Sequence, residues 1–238
     1  MVEPGDRDDD DGAPGLDGAE RVARALRELT PSRLFCGARA IADAPIHPGE
    51  KALYADVDAS VRRATSTGRL LAREVLRNMG VTPGPILRGE GGMPSWPAGI
   101  GGSIAHDDEF AVCVVGFDTD VGVDVEPAAP LPAEILDTVL VNADERAAAD
   151  DDLVAARLIF CAKEAVYKIC YPVERRFYEF GEIVLQRPSD DRGPLPKTGV
   201  VDLHFVTSTG RRANVLVVRA PRLIAVARPE WVEGLYTR

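Results

Sequence analysis

Residues 122–126 read Gly-Val-Asp-Val-Glu, and residues 160–168 read Phe-Cys-Ala-Lys-Glu-Ala-Val-Tyr-Lys. In a β-strand alternate side chains share a face, so Asp124 and Glu126 project together while Val123 and Val125 point the other way. In a helix, Glu164 and Lys168 lie one turn apart on one face. Where such a strand and helix meet, three carboxylates converge with two lysines beside them. That group suits a hard divalent cation, Mg²⁺ or Mn²⁺ in its place, holding a phosphate ester. Asp124, Glu126 and Glu164 are therefore candidate metal ligands. Glu164 is also a candidate base toward an attacking hydroxyl, directly or through a bound water. Lys163 and Lys168 are candidates for holding phosphate oxygens and steadying a leaving group. Taken singly, an Asp-x-Glu strand or a Lys-Glu helix is more often ordinary solvated surface.

A third element joins them, Gly101-Gly102-Ser103-Ile104-Ala105-His106. Read as a glycine-rich turn, it offers backbone N–H groups, with the Ser103 hydroxyl and the His106 imidazole as further donors for a phosphate monoester. A glycine turn ahead of a strand with an incidental histidine is the plainer alternative. His47 and His204 have no such setting.

These residues need elements to hold them. Residues 20–29 form a short helix candidate. Residues 34–41 read as a strand. Residues 58–79 form a long helix with Val61, Ala64, Leu71, Val75, Leu76 and Met79 in one apolar stripe. Gly80 and the Thr82-Pro83-Gly84-Pro85 run stop it. Its polar side carries Arg62, Arg63, Arg69, Arg73 and Arg77. Residues 80–102 read as loop. Residues 110–117 and 121–126 read as buried strands. Two short helices follow, at 132–140 and 143–149, the second capped by Asn142. A second long helix is expected from about 153 to 170, favoured by Asp151 and Asp152 at its positive end and stopped by Tyr171-Pro172. Strands at 182–186, 200–206, 214–218 and 223–227 complete an α+β chain in which a strand, a long helix and further strands occur twice.

The 238 residues carry 45% hydrophobic side chains, enough for a substantial core, and a net charge of −10. Residues 1–20 hold eight acids and one base, so the rest of the chain is nearly balanced. That acidic start, with little to bury, is expected to be a disordered tail over residues 1–18. No excess of Lys and Arg exists to displace counterions, which argues against general nucleic-acid binding. No apolar run approaches the roughly 20 residues of a membrane span, and the start lacks the pattern of a secretory signal. A cytoplasmic protein without membrane association is expected. Cys36, Cys113, Cys161 and Cys170 show no Cys-x-x-Cys spacing, so a zinc site is not expected.

Gly-Ser-Ile-Ala-His, Gly-Val-Asp-Val-Glu and Phe-Cys-Ala-Lys-Glu-Ala-Val-Tyr-Lys, in this order, resemble the 4′-phosphopantetheinyl transferase superfamily. The likeness is greatest to the monomeric branch with the enterobactin-synthase-associated and mycobacterial carrier-activating enzymes, and it covers roughly residues 65–185. It implies a pseudo-twofold pair of α+β subdomains, 19–119 and 120–238, with coenzyme A in the shared cleft. It implies transfer of 4′-phosphopantetheine from coenzyme A to a serine of an acyl or peptidyl carrier protein, with Mg²⁺ as cofactor and adenosine 3′,5′-bisphosphate released. Such carriers serve fatty-acid, polyketide, siderophore or other nonribosomal synthesis. Carried over residue by residue, Asp124, Glu126 and Glu164 match the metal-binding acids. Glu164 also matches the proposed base, and Lys168 the lysine near the leaving phosphate. Ser103 and His106 match residues around the 3′-phosphate of coenzyme A, and Arg69, Arg73 and Arg88 match basic positions at the nucleotide end. Two departures, Ala105 in place of a hydroxyl residue and Gly91 in place of a basic one, imply a weaker grip on coenzyme A. Residues 175–178, just past the catalytic helix, are the expected carrier-docking surface, and a monomer is expected.

Two other readings start from the same residues. Gly101-Gly102-Ser103-Ile104-Ala105 approximates a serine-hydrolase elbow, but the elbow needs a strand before the serine and a helix after it. A non-catalytic module binding coenzyme A or a carrier is the second. Clustered acids that repel one another without a cation argue against it.

Overall fold

A computed structural model of the chain describes residues 18–188 and 193–230. The acidic tail expected at residues 1–18 lies outside the described residues except for Gly18, which opens the first helix. The architecture is α+β, with two antiparallel sheets back to back and one long helix on the outer face of each.

The first sheet contains β1 (Phe35–Ala40), β2 (Ile100–His106) and β3 (Phe110–Phe117) in the order β1-β3-β2. Helix α2 (Ala59–Asn78) covers one face of it. Leu71, Ala72, Val75 and Leu76 pack there against Ala111, Cys113 and Val115, the alternate residues of β3. The second sheet runs β4-β8-β7-β6-β5, from β4 (Gly122–Glu126), β5 (Ile183–Gln186), β6 (Val201–Thr207), β7 (Arg212–Val218) and β8 (Leu223–Pro229). Helix α5 (Leu153–Glu174) covers its outer face with Ala155, Leu158, Ile159, Ala162 and Val166.

Between the sheets, Val112 and Val114 of β3 meet Val123 and Val125 of β4 and Ile224 and Val226 of β8. Helix α1 (Gly18–Leu29) fills the same core with Val22, Leu26 and Leu29. The period-2 alternation of the strands thus gives each sheet two apolar faces. Among the described residues, no helix is long and apolar enough to cross a membrane.

Most expected elements form within a residue or two. Asn142 caps α4 (Ala143–Ala149) in a reciprocal capping box with Glu145, and Asp152 caps α5 by accepting from Val154 N (2.9 Å) and Ala155 N (3.1 Å). The helix expected over residues 132–140 is a 3₁₀ turn, Ala133–Ile135, followed by the single turn α3 (Leu136–Val139).

Two expectations fail. Tyr171-Pro172 does not end α5, which continues to Glu174 and closes at Arg175 in the left-handed conformation. Pro172 lies in the last turn, where it forgoes the bond its N–H would have made to the Lys168 carbonyl, and the helix runs on for only two more residues. The glycine-rich segment at 101–103 is not a turn but the middle of β2, paired Gly101↔Gly116, Gly102↔Val115 and Ser103↔Val114. Its glycines answer to crowding. A β-carbon at Gly101 would overlap the Thr119 carbonyl oxygen, and one at Gly102 would press on Val115 and the Val114 carbonyl.

Candidate active site

Gly122 begins β4 directly beneath α5, where any β-carbon would overlap the carbonyl oxygen of Ala165. This close approach puts the polar face of β4 against the polar face of α5. Lys168 Nζ lies 2.6 Å from Asp124 Oδ1 and donates to the Val123 carbonyl at 3.1 Å. Burial opposes charge on Lys168, but the neighbouring Asp124 outweighs it and holds the ammonium above its ordinary value.

Asp124 is buried, and its second oxygen, Oδ2, has no hydrogen-bond partner among the described residues. Burial, and then the Asp124 charge, push the Glu126 carboxyl up to about 7, against the pull of Arg157 at 3.3 Å. Burial and Asp124 also raise Glu164. Glu126 and Glu164 thus each feel the Asp124 charge, which opposes their ionisation beside it.

They do not form a finished ligand set. Among the described residues no group of three His, Cys, Asp or Glu side chains is gathered as if to hold a metal. Lys168 takes one oxygen of Asp124, and Arg157 takes one of Glu126. The donor types still fit a hard cation: all are carboxylate oxygens, mutually repelling, with one buried oxygen left without a partner.

A connected series of cavities adjoins this junction through Lys168 and Glu164. One of about 480 Å³ is lined by Trp96, Ser103, Asp120, Tyr167, Lys168 and Tyr171. A second of about 320 Å³ is lined by Tyr54, Val61, Arg69, Arg88 and His106, and shares Gly92, Pro94 and Ile104 with the first. A third of about 130 Å³, reached past Tyr167, is bordered by Glu164, Phe177 and Tyr178. Together they have the size and mixed lining of a site for an extended ligand with an anionic end. His106 stands at the outer end of β2. Desolvation, and then the Lys168 charge, hold its imidazole below its ordinary value.

The cofactor-facing expectations divide. Ser103, Lys168, Arg69, Arg88 and His106 all line the cavities, although Arg69 also donates from Nε to the Ile86 carbonyl at 2.8 Å. Arg73 does not line them. It is buried against Glu50, whose Oε1 also accepts from Ile86 N at 2.8 Å, so it is a strut between α2 and the following loop. Lys163 is a second correction. Its ammonium is completely buried between Glu145 Oε1 (2.8 Å), the Val139 carbonyl (2.7 Å) and the Phe180 carbonyl (3.0 Å), which leaves it nothing for a phosphate.

The two expected weaknesses also change meaning. Ala105 is buried in the apolar core between the sheets, where a hydroxyl would face valines rather than ligand. Gly91 has φ of +61°, and a β-carbon there would overlap the Tyr171 hydroxyl. Tyr171 itself lines the cavity of about 480 Å³, so glycine at 91 makes room for a wall residue.

Ser103 lies within a strand and is followed by more strand, which removes the hydrolase elbow. Tyr54, Asp120, Arg157 and Tyr171 line or tune the site without having been singled out from sequence as site residues. For two of them a signal existed. Arg157, Glu164 and Lys168 recur at helical spacing on one face, and Tyr167 and Tyr171 form an i, i+4 pair with ring centroids 5.7 Å apart.

Residues 49–116 match the model of the 4′-phosphopantetheinyl transferase N-terminal domain, and residues 120–215 match that of the 4′-phosphopantetheinyl transferase superfamily. The chain is 38% identical over 153 residues to 4′-phosphopantetheinyl transferase PptT of Mycobacterium tuberculosis, covering 61% of this chain and 67% of that one. It is 36% identical over 161 residues to 4′-phosphopantetheinyl transferase Svp of Streptomyces mobaraensis, covering 61% and 65%. Over 106 residues it is 36% identical to enterobactin synthase component D of Escherichia coli O157:H7, covering 42% and 50%. The matched stretch thus spans about two thirds of the length of the first two relatives and half of the third. With two family models end to end across the junction of strand, helix and cavities, the chain belongs to the 4′-phosphopantetheinyl transferase superfamily.

Proposed function

We propose that this protein transfers the 4′-phosphopantetheine group of coenzyme A to a serine of an acyl or peptidyl carrier protein. The observation that carries the proposal is the pairing of Asp124 with Lys168, which lines the first cavity, while Glu164 borders the third. In this reading the nucleotide end of coenzyme A lies in the cavity of Arg69, Arg88 and His106, and its pyrophosphate lies near Lys168. The arm would then run past Ser103 and Trp96 along the larger cavity.

Asp124, Glu126 and Glu164 would hold a divalent cation, Mg²⁺ by the hardness of the donors. When bound, the ion neutralises charge on the pyrophosphate oxygens. The chain's own residues do the rest. Glu164, with its raised affinity for a proton, accepts the hydrogen of the carrier serine as the serine oxygen bonds to the β-phosphorus. The bond from that phosphorus to the bridging oxygen breaks, and the electron pair leaves with adenosine 3′,5′-bisphosphate. Lys168, held charged by Asp124, faces the oxygens on which charge accumulates.

The carrier would dock over Phe177, which is 69% exposed beside the Glu164 cavity, with Arg175, Arg176 and Tyr178 around it. A monomer in the cytoplasm completes the reading. The test is incubation with coenzyme A, Mg²⁺ and single apo carrier proteins in turn. Equimolar adenosine 3′,5′-bisphosphate and phosphopantetheinylated serine should form. Release of the nucleotide without modification of any carrier would overturn the assignment.

A further inference from the structure

Arg222 stands in the turn between β7 and β8, yet its guanidinium rests on the turn between β2 and β3 that follows His106. Nε lies 3.1 Å from Asp107 Oδ2, and Nη2 lies 2.6 Å from Glu109 Oε2 and 3.8 Å from Asp108 Oδ1. The guanidinium carbon also sits 5.1 Å from the centre of the Phe110 ring. Asp107 in turn closes its loop. Its Oδ1 accepts from Glu109 N (2.8 Å) and Phe110 N (2.7 Å), and its own N–H donates to the Phe110 carbonyl at 3.0 Å.

The Asp107 side chain is only 1% exposed. Burial pushes its carboxyl up, and the Phe110 and Glu109 N–H groups, then Arg222, oppose that push. Without the arginine, a buried carboxylate would lose its cation and either take up a proton or swing out, loosening the turn. Three consecutive acids beside an anion site would also repel a phosphate unless a cation offsets them.

We infer that Arg222 is a positioning residue, which clamps the Asp107–Phe110 turn from the second sheet and thereby aims His106 at the 3′-phosphate of coenzyme A. The inference rests on the placement of coenzyme A proposed above. Among the described residues, Arg222 lines none of the three cavities above, so its effect on binding runs through the turn.

Steady-state constants with coenzyme A and with 3′-dephospho-coenzyme A, for wild type, His106→Ala, Arg222→Ala and Arg222→Lys, test this. Arg222→Ala should raise KM for coenzyme A about tenfold, between the worth of a surface and of a buried ion pair, with kcat and the dephospho-coenzyme A KM little changed. Arg222→Lys keeps the charge without the forked contact and should fall between. A wild type indifferent to loss of the 3′-phosphate would overturn the underlying placement of the cofactor. A discriminating wild type and His106 effect, with both KM values raised equally in Arg222→Ala, would overturn the clamp alone. Should Arg222→Ala not fold, Arg222→Lys and Asp107→Asn carry the comparison, and an unchanged KM ratio in both overturns the inference.

Discussion

Gly122 and Ala165 are in direct backbone contact across the strand–helix interface, with no space for a β-carbon between them. The consequence is steric and local. Gly122→Ala must move β4 away from α5 and with it Asp124 from Lys168. A loss of about 2 kcal/mol in unfolding free energy is expected, typical of forcing a methyl into a packed interior. Denaturant unfolding checks it, and transfer activity should fall in the fraction that stays folded.

The two lysines of the α5 motif should behave oppositely. Lys163→Met strands Glu145 in the interior and should destabilise the fold by about 3–5 kcal/mol. Arg73→Met should act in the same way through Glu50. Coenzyme A affinity of the folded fraction should stay near wild type in both. Lys168→Met should instead abolish turnover while the protein remains folded at room temperature. Thermal unfolding and isothermal titration with coenzyme A separate the two cases.

Glu164→Gln keeps shape but removes the proton acceptor. Turnover should drop by about 10²-fold or more, the usual contribution of a positioned base. Coenzyme A should still bind. Wild-type turnover in this variant would end its assignment as the base.

His106 gives a pH dependence. Its imidazole titrates below the ordinary value of 6.5, so in the free protein it is neutral at pH 7. The unfolded chain, with the ordinary value, binds the proton first as the pH falls, so His106 takes stability away below about pH 6.5. A bound dianionic phosphate reverses this preference and raises the imidazole. Coenzyme A affinity should therefore increase as pH falls from 7.5 toward about 6, with proton uptake on binding. Calorimetry in buffers of different ionisation enthalpy detects the uptake. It should vanish with 3′-dephospho-coenzyme A and in His106→Gln.

Phe177 packs on Tyr171 and Tyr167 at centroid distances of 5.2 and 6.5 Å, which holds an exposed ring rigidly in place. Phe177→Ala should raise the KM for the carrier about tenfold, as removal of an aromatic anchor does. The KM for coenzyme A measured with saturating carrier should move far less.

What the sequence made readable was periodicity. The alternation of residues 122–126 placed Asp124 and Glu126 on the face toward α5 and Val123 and Val125 in the core, as found. The spacing of Glu164 and Lys168 put both on the side facing Asp124. What escaped depended on partners distant in the chain. Arg69 and Arg73 share a face with no feature marking them as buried, since Glu50 and the Ile86 backbone decide that. Lys163 and Lys168 look alike within their motif. Glu145 lies beneath one, and Asp124 lies beside the other. The β2 strand read as loop because its glycines are demanded by Thr119 and Val115, which local propensity does not register.

Helix α1 sits upstream of both stretches that match the family models, yet Val22, Leu26 and Leu29 are wedged among valines from both sheets. It therefore acts as a keel shared by the two hulls. A version of the protein trimmed to start at residue 49 would bare the seam between the sheets, leaving apolar strand faces wet and prone to self-association.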